Sequence, residues 1–174
     1  MAGKDPDQMQ RLVGTIGFTG KSAEEFFALL RGAGVECVVD VRQHRVGQLS
    51  GYAKHPDLEF FLKKIAKIAY VHEPLLAPTV ELRKNYQESK DWAAYEKEYL
   101  RLLKERRVPR ALGTSSWPKN IALLCSEPGP EKCHRRLAAE LLALNWRAAG
   151  DDVEVRHLVT KCGKKERKLS IDSN

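Results

Sequence analysis

The segment Cys37-Val-Val-Asp-Val41 constrains this chain more than any other, because an extended run that is apolar on almost every residue needs cover on both of its faces. A strand of that kind belongs inside a parallel sheet, and parallel neighbours need a long crossover, usually a helix, between them. The rest of the chain carries the matching punctuation. Leu12-Val-Gly-Thr-Ile16 is a short apolar run ending at Gly17, and Ser22-Ala-Glu-Glu25 is a capping box ahead of Phe26, Phe27, Leu29 and Leu30, closed by Gly34. Pro56-Asp57 opens a helix carrying Leu58, Phe61, Leu62 and Ile65. Ala69-Tyr-Val71 reads as a third strand, Pro74 and Pro78 impose an irregular loop, and a helix is predicted near Val80 to Tyr86. Trp92, Tyr95, Tyr99 and Leu102 recur at helical spacing behind an Asp91 cap, so an amphipathic helix is predicted to about Arg107. Its aromatics read as core rather than as a base-stacking platform. Ile121-Ala-Leu-Leu124 is a fourth buried strand, and Pro130 is placed in the first turn of the helix that carries Leu137, Leu141, Leu142 and Trp146 to Gly150. Val153 to Leu158 alternates and adds a fifth strand.

The expectation is an α/β fold, with a mainly parallel central sheet of about five strands and helices on both faces. At 174 residues the chain supports one core, so a single domain is expected over residues 12–160, after a flexible N-terminus at 1–11. Residues 161–174 read as a basic, disordered tail, with Lys161, Lys164, Lys165, Arg167 and Lys168 against Glu166 and Asp172. The body is then only mildly basic, although the whole chain carries +7. No apolar run approaches the ~20 residues of a membrane span, and Met1 to Gln10 lacks a signal-peptide core, so a cytoplasmic protein without membrane contact is expected. Four cysteines, Cys37, Cys125, Cys133 and Cys162, form no C-x-x-C pair, and their spacing argues neither for a disulfide framework nor for a familiar zinc site.

In parallel sheets ligands bind beyond the carboxyl ends of the strands, which selects three polar segments. The first, Gly17-Phe-Thr-Gly-Lys-Ser22, resembles a phosphate loop, since Gly20, Lys21 and Ser22 follow a strand and open a helix. It misses the Walker A pattern because the residue five before Gly20 is Thr15, with Gly14 one residue out of register. In the second, Asp40 and Arg42 lie two apart and share a face, so they are either a structural ion pair or a base and a phosphate ligand. The third combines Cys125-Ser-Glu127 with Cys133-His134-Arg135 at a helix start, where the dipole and neighbouring cations depress a thiol pKa. Cys133 reads either as a reactive thiolate or as a packed side chain, and Glu127 is its acid/base partner in the first reading. His72-Glu73 is a further candidate, while His44, His55 and His157 read as surface residues.

With these motifs in order, Thr15-Ile-Gly-Phe18, Val39-Asp-Val-Arg42 and Leu124-Cys-Ser-Glu127 followed by Cys133-His-Arg135, the chain resembles the domain-of-unknown-function 488 family over roughly residues 12–158. The resemblance implies a compact α/β domain in which Asp40, Arg42, Cys125, Glu127, Cys133, His134 and Arg135 gather at one site, with an association to nucleotides or nucleic acids and no established reaction. Two stretches depart from the commoner pattern. Gln43-His-Arg-Val-Gly-Gln48 replaces a proline-serine run, and His72-Glu-Pro-Leu-Leu-Ala-Pro78 replaces a glycine-rich turn.

The functional expectation is an enzyme, a hydrolase or transferase, acting on a nucleotide, nucleoside or nucleic-acid component. Asp40, Glu127, Cys133 and His134 would be catalytic, and Gly17, Lys21, Ser22, Arg42, Cys125 and Arg135 would bind the ligand. No metal or cofactor is assigned. The alternatives are a nucleic-acid-binding module that adds the basic tail to the crevice, and a thiol or metal redox sensor built on Cys125, Cys133 and His134.

Overall fold

A computed structural model describes residues 10–46 and 50–160 of the chain. The expected N-terminal arm up to residue 9, the basic tail and Cys162 lie outside them. The strands are β1 (Arg11–Gly17), β2 (Cys37–Asp40), β3 (Ala69–His72), β4 (Asn120–Cys125) and β5 (Val153–Leu158). All pairings are parallel, in the order β3-β2-β4-β1-β5. The helices are α1 (Ala23–Gly32), α2 (Asp57–Phe60, continued by a π turn at Phe61–Ala66), α3 (Val80–Ser89), α4 (Trp92–Glu105), α5 (Val108–Ala111) and α6 (His134–Ala148).

Strand alternation sorts the core into two layers. Cys37, Val39, Ile121, Leu123 and Cys125 face Tyr99 and Leu103 of α4 and Leu137 and Trp146 of α6. Val38, Ala122 and Leu124 face Phe26 and Leu30 of α1 and Leu58 and Leu62 on the other side. Each fully buried aliphatic or aromatic side chain contributes about 1.5–3 kcal/mol, so both faces hold the sheet between helices. The fold is the expected α/β. Local signals act as the residues dictate: Ser22 accepts from the Glu25 amide at 3.1 Å while Glu25 reaches back to the Ser22 amide at 2.8 Å, and Asp91 accepts from the Ala94 amide at 3.0 Å.

Two elements differ from their expected form. The helix after β4 starts at His134 rather than near Pro130, because Cys133 keeps an extended backbone (φ −136°, ψ 133°) as its N-cap and Pro130 stays in the loop. The helix at Pro56 gives way to a π turn, which leaves Ile65 exposed. No helix among the described residues is long and apolar enough to cross a membrane.

Connectivity decides where a crevice opens. The chain leaves β1 and β2 for α1 and α2 on one face, whereas it leaves β4, which lies between them, for α6 on the other. Adjacent strands with diverging exits leave a gap beyond their carboxyl ends, here above β4. Cys37 lies at the opposite end of β2, and burial pushes its thiol up to about 11. Alkylation of the native protein at pH 8 is therefore expected to spare Cys37, and rapid labelling of its peptide in a mass-spectrometric time course would contradict that burial.

Candidate functional site

Cys125 ends β4, Cys133 caps α6 and His134 is the first residue of α6, so strand end and helix start converge over a seven-residue loop. The two Sγ atoms and an imidazole nitrogen lie within 4.8 Å of one another. His134 Nδ1 is 3.8 Å from Cys125 Sγ, while its Nε2 is 3.2 Å from the Val41 carbonyl. A carbonyl only accepts, so Nε2 carries a proton and Nδ1 faces the sulfurs. Tyr99 packs edge-on against the same ring at 5.7 Å and is itself tied to the Leu76 carbonyl at 2.7 Å.

A hydrogen bond from the Cys133 thiol holds Cys125 well below the usual thiol range despite its burial, and the positive charges of His134 and Arg135 add to this. The same hydrogen bond, together with burial, drives Cys133 upward. Burial pulls His134 down, but the charge and hydrogen bond of Cys125 outweigh it and the net direction is upward. These shifts favour negative charge on Cys125 and positive charge on the His134 ring beside it, with the proton kept on Cys133.

Asp40 is buried on the other face of the sheet, where its carboxylate is fully engaged. Arg42 Nε and a terminal nitrogen donate to its two oxygens at 2.8 and 2.7 Å, the Arg42 amide donates at 3.1 Å, and the Tyr70 hydroxyl at 2.7 Å. Burial and the Asp40 charge push Tyr70 up to about 12. Arg42 also donates to the Ala53 carbonyl at 2.9 Å and lies 5.2 Å from the Phe18 ring, so this ion pair braces the exit of β2. The geometry is that of the structural pair and leaves Asp40 no lone pair directed at the crevice.

Arg135 braces the opposite loop. It is 1% exposed and donates to the Glu127 and Gly129 carbonyls, both at 2.7 Å, and to Cys133 Sγ at 3.2 Å. Gly17, paired with Cys125 in register, has the Glu127 carbonyl where a Cβ would stand. Lys21 is buried against the Pro128 carbonyl at 3.4 Å, and Ser22 is spent as the α1 cap. Gly17, Lys21 and Ser22 therefore shape the loop and do not line the cleft. His72 accompanies the Arg42 carbonyl at 2.9 Å.

The cleft over the cysteines has a volume of about 180 Å³. Its floor is Cys125, Cys133 and His134, and Glu127, exposed at the rim, joins Arg42 as the other expected residues that line it. Its walls are Arg83 and Tyr86 of α3 and Lys132, which sequence reasoning did not single out, together with Trp92 and Tyr95 of α4, read there as core, and His44, read as a surface residue. Tyr95 and Tyr99 are buried in the core layer, as the helix periodicity predicts, whereas Trp92 is half-buried and stacks on Tyr95 at 5.2 Å. Tyr86 closes the group, 5.0 Å from Tyr95. The signal for this wall was available in the three-residue spacing of Arg83 and Tyr86, which puts both on one face of α3. His157, read as a surface residue, instead contacts the Thr15 hydroxyl at 2.9 Å.

The sequence profile of the family described as "Domain of unknown function DUF488" matches residues 22–142. The chain belongs to the DUF488 family. The match takes in the Asp40–Arg42 pair, both cleft cysteines, His134 and Arg135, so the whole floor of the cleft lies in the DUF488 region. No curated protein and no solved structure matches the chain.

Proposed function

We propose that this DUF488 protein is an enzyme acting on a nucleotide, nucleoside or nucleic-acid component held in the cleft above β4. The observation that carries the reading is the juxtaposition of an aromatic wall (Tyr86, Trp92, Tyr95), two rim cations (Arg83, Lys132) and a cysteine–histidine floor around one small cavity. Aromatic faces accept a base by stacking, and an arginine whose side chain is not consumed by a neighbour accepts a phosphate in bidentate fashion. No described side chain ion-pairs with Arg83 or Lys132. The volume, about 180 Å³, is below the ~300–1,000 Å³ of sites that enclose a whole drug-sized ligand, so it suits one ring system with the rest at the open rim. That favours a mononucleotide or a single splayed base over a duplex. Glu127, exposed beside the floor, is the group for proton transfer, and the Asp40–Arg42 pair keeps the β2 exit in place.

A panel of nucleoside monophosphates, the matching nucleosides and short single strands tests this by thermal shift. A ligand at ~100 times its Kd stabilises by about 2.7 kcal/mol, which is roughly 5–10 °C for a chain of this size. Trp92→Ala is expected to weaken binding about 5- to 150-fold, since base stacking contributes about 1–3 kcal/mol. Arg83→Ala is expected to remove the preference for nucleotide over nucleoside. Chromatography of the incubated ligand then shows whether it is turned over, with Glu127→Gln slowing the reaction. Absence of any shift across the panel in the folded wild type would reject the reading.

A further inference from the structure

We propose that Cys125, Cys133 and His134 form a Cys2His site for one zinc ion, with its fourth coordination position open to the cleft. Their donor atoms already lie within 4.8 Å of one another, with Cys125 Sγ and His134 Nδ1 at 3.8 Å. A tetrahedral zinc with Zn–S near 2.3 Å and Zn–N near 2.0–2.1 Å separates its donors by about 3.5–3.8 Å. The cluster therefore reaches metal geometry by a contraction of about 1 Å or less at its widest separation, within rotamer adjustment of two side chains.

The surroundings are those of a ligand set. The Val41 carbonyl takes the Nε2 proton at 3.2 Å, which orients the ring and leaves Nδ1 to present its lone pair once its own proton has left. Metal-binding histidines are held in this way, by a backbone carbonyl or carboxylate on the far nitrogen. Cys133 Sγ accepts from the buried Arg135 guanidinium at 3.2 Å, a contact that steadies thiolate charge. Two thiolates neutralise one divalent ion, so zinc adds no uncompensated charge to this buried corner, and binding releases the Cys133 thiol proton and the His134 Nδ1 proton to solvent. Two sulfurs and an imidazole nitrogen select zinc over magnesium, calcium or manganese.

Among the described residues no fourth cysteine, histidine or carboxylate atom joins the three. The same three residues line the cleft, and so does Glu127, two residues beyond Cys125. Three protein ligands with an open side define the catalytic class of zinc site, whereas closed four-ligand sets are structural. As a metal site the cluster needs nothing from the nucleotide reading; its catalytic use, in which zinc would activate water or polarise the ligand beside Glu127, rests on it.

The test uses the full chain and metal alone. Protein expressed with added zinc and purified without chelators, under a non-thiol reductant, is expected to carry about one zinc per chain by elemental analysis. Chelator-stripped protein titrated with Co²⁺ should develop thiolate-to-cobalt charge-transfer bands and tetrahedral visible bands that saturate at one equivalent. Added azide should shift the visible bands, reporting the open position. Cys125→Ser, Cys133→Ser and His134→Gln should each lose or strongly weaken the bands, while Cys37→Ser keeps them. Since a floor variant can lose its fold, the wild type supplies an independent reading: bound zinc should protect Cys125 from alkylation. Metal-free wild type that gives no cobalt bands and no zinc protection overturns the proposal, as do bands that persist unchanged in both cysteine variants. Bands that ignore azide overturn the open position. Because no nucleotide is present, none of these results depends on the ligand panel, and a failed panel leaves them standing.

Discussion

Asp40→Ala is expected to destabilise the protein by about 3–5 kcal/mol, the range seen when one partner of a buried ion pair is removed and the other stays behind. For a chain of this size that lowers Tm by roughly 6–20 °C. The cost arises in what is left. Arg42 is 5% exposed and would keep the Phe18 ring and, as hydrogen-bond acceptor, the Ala53 carbonyl at 2.9 Å, while the Tyr70 hydroxyl loses its acceptor. Burial pulls the Arg42 guanidinium down, and its hydrogen bonds and charge contact with Asp40 more than reverse this, so the carboxylate is what keeps a charged arginine tolerable there. The double variant Asp40→Ala/Arg42→Met should recover part of the loss, because it removes the stranded charge as well. Calorimetry on the two variants checks both statements. A single variant as stable as wild type would mean that Arg42 swings out to solvent, and the brace at the β2 exit would have to be abandoned.

Gly17→Ala should both destabilise the protein and empty the cleft, although Gly17 lines none of it. A Cβ there would stand 1.7 Å from the Glu127 carbonyl oxygen, 2.8 Å from its carbon and 3.0 Å from the Arg135 guanidinium. Neither neighbour is a flexible side-chain end: one is backbone, the other is fixed by two carbonyls and a sulfur. Overpacking ordinarily costs about 1–3 kcal/mol, and a clash against two fixed groups belongs at the top of that range or above it. Relief requires the loop after Cys125 to move, which breaks the Arg135 contact with Glu127 and pulls Cys133 and His134 away from Cys125. Ligand binding and cobalt bands should therefore fall together in the folded fraction of the variant. Gly14→Ala is the control, since its Cβ would meet the Ile121 carbonyl at 3.2 Å, far from that loop. Unchanged Tm and unchanged cobalt binding in Gly17→Ala would show that the loop yields without cost.

The elements themselves were written in local pattern. An apolar run can satisfy its backbone and its side chains together only as a buried strand, hence β2 and β4; a hydroxyl or carboxylate three residues before a free amide caps a helix wherever it occurs, hence Ser22 and Asp91. Of the three polar strand ends, Arg42 and the Cys125–Glu127 and Cys133–His134 segments line the cleft, while Gly17, Lys21 and Ser22 shape the loop beside it. Local pattern did not separate Pro130 in a first helical turn from Pro130 in a loop, since the ring restrains φ alike in both. Nor did it assign a metal to C-x7-C-H, because familiar zinc spacings are those in which neighbouring residues of one turn bind together.

What only the tertiary structure decided was which side chains meet. Alternation along the strands sends Asp40 toward one face and Cys125 toward the other, and a strand order that places β4 between β1 and β2 is needed before that parity has any meaning. The same order lays α3 and α4 beside the cleft, so that Trp92 and Tyr95, on the apolar stripe of α4, also line it. Periodicity reports which face of an element is apolar; it carries no record of what that face is pressed against. Backbone hydrogen bonds and burial act locally and are legible along the chain, whereas a site joins residues about 40 to 90 positions apart and exists only once the sheet has closed.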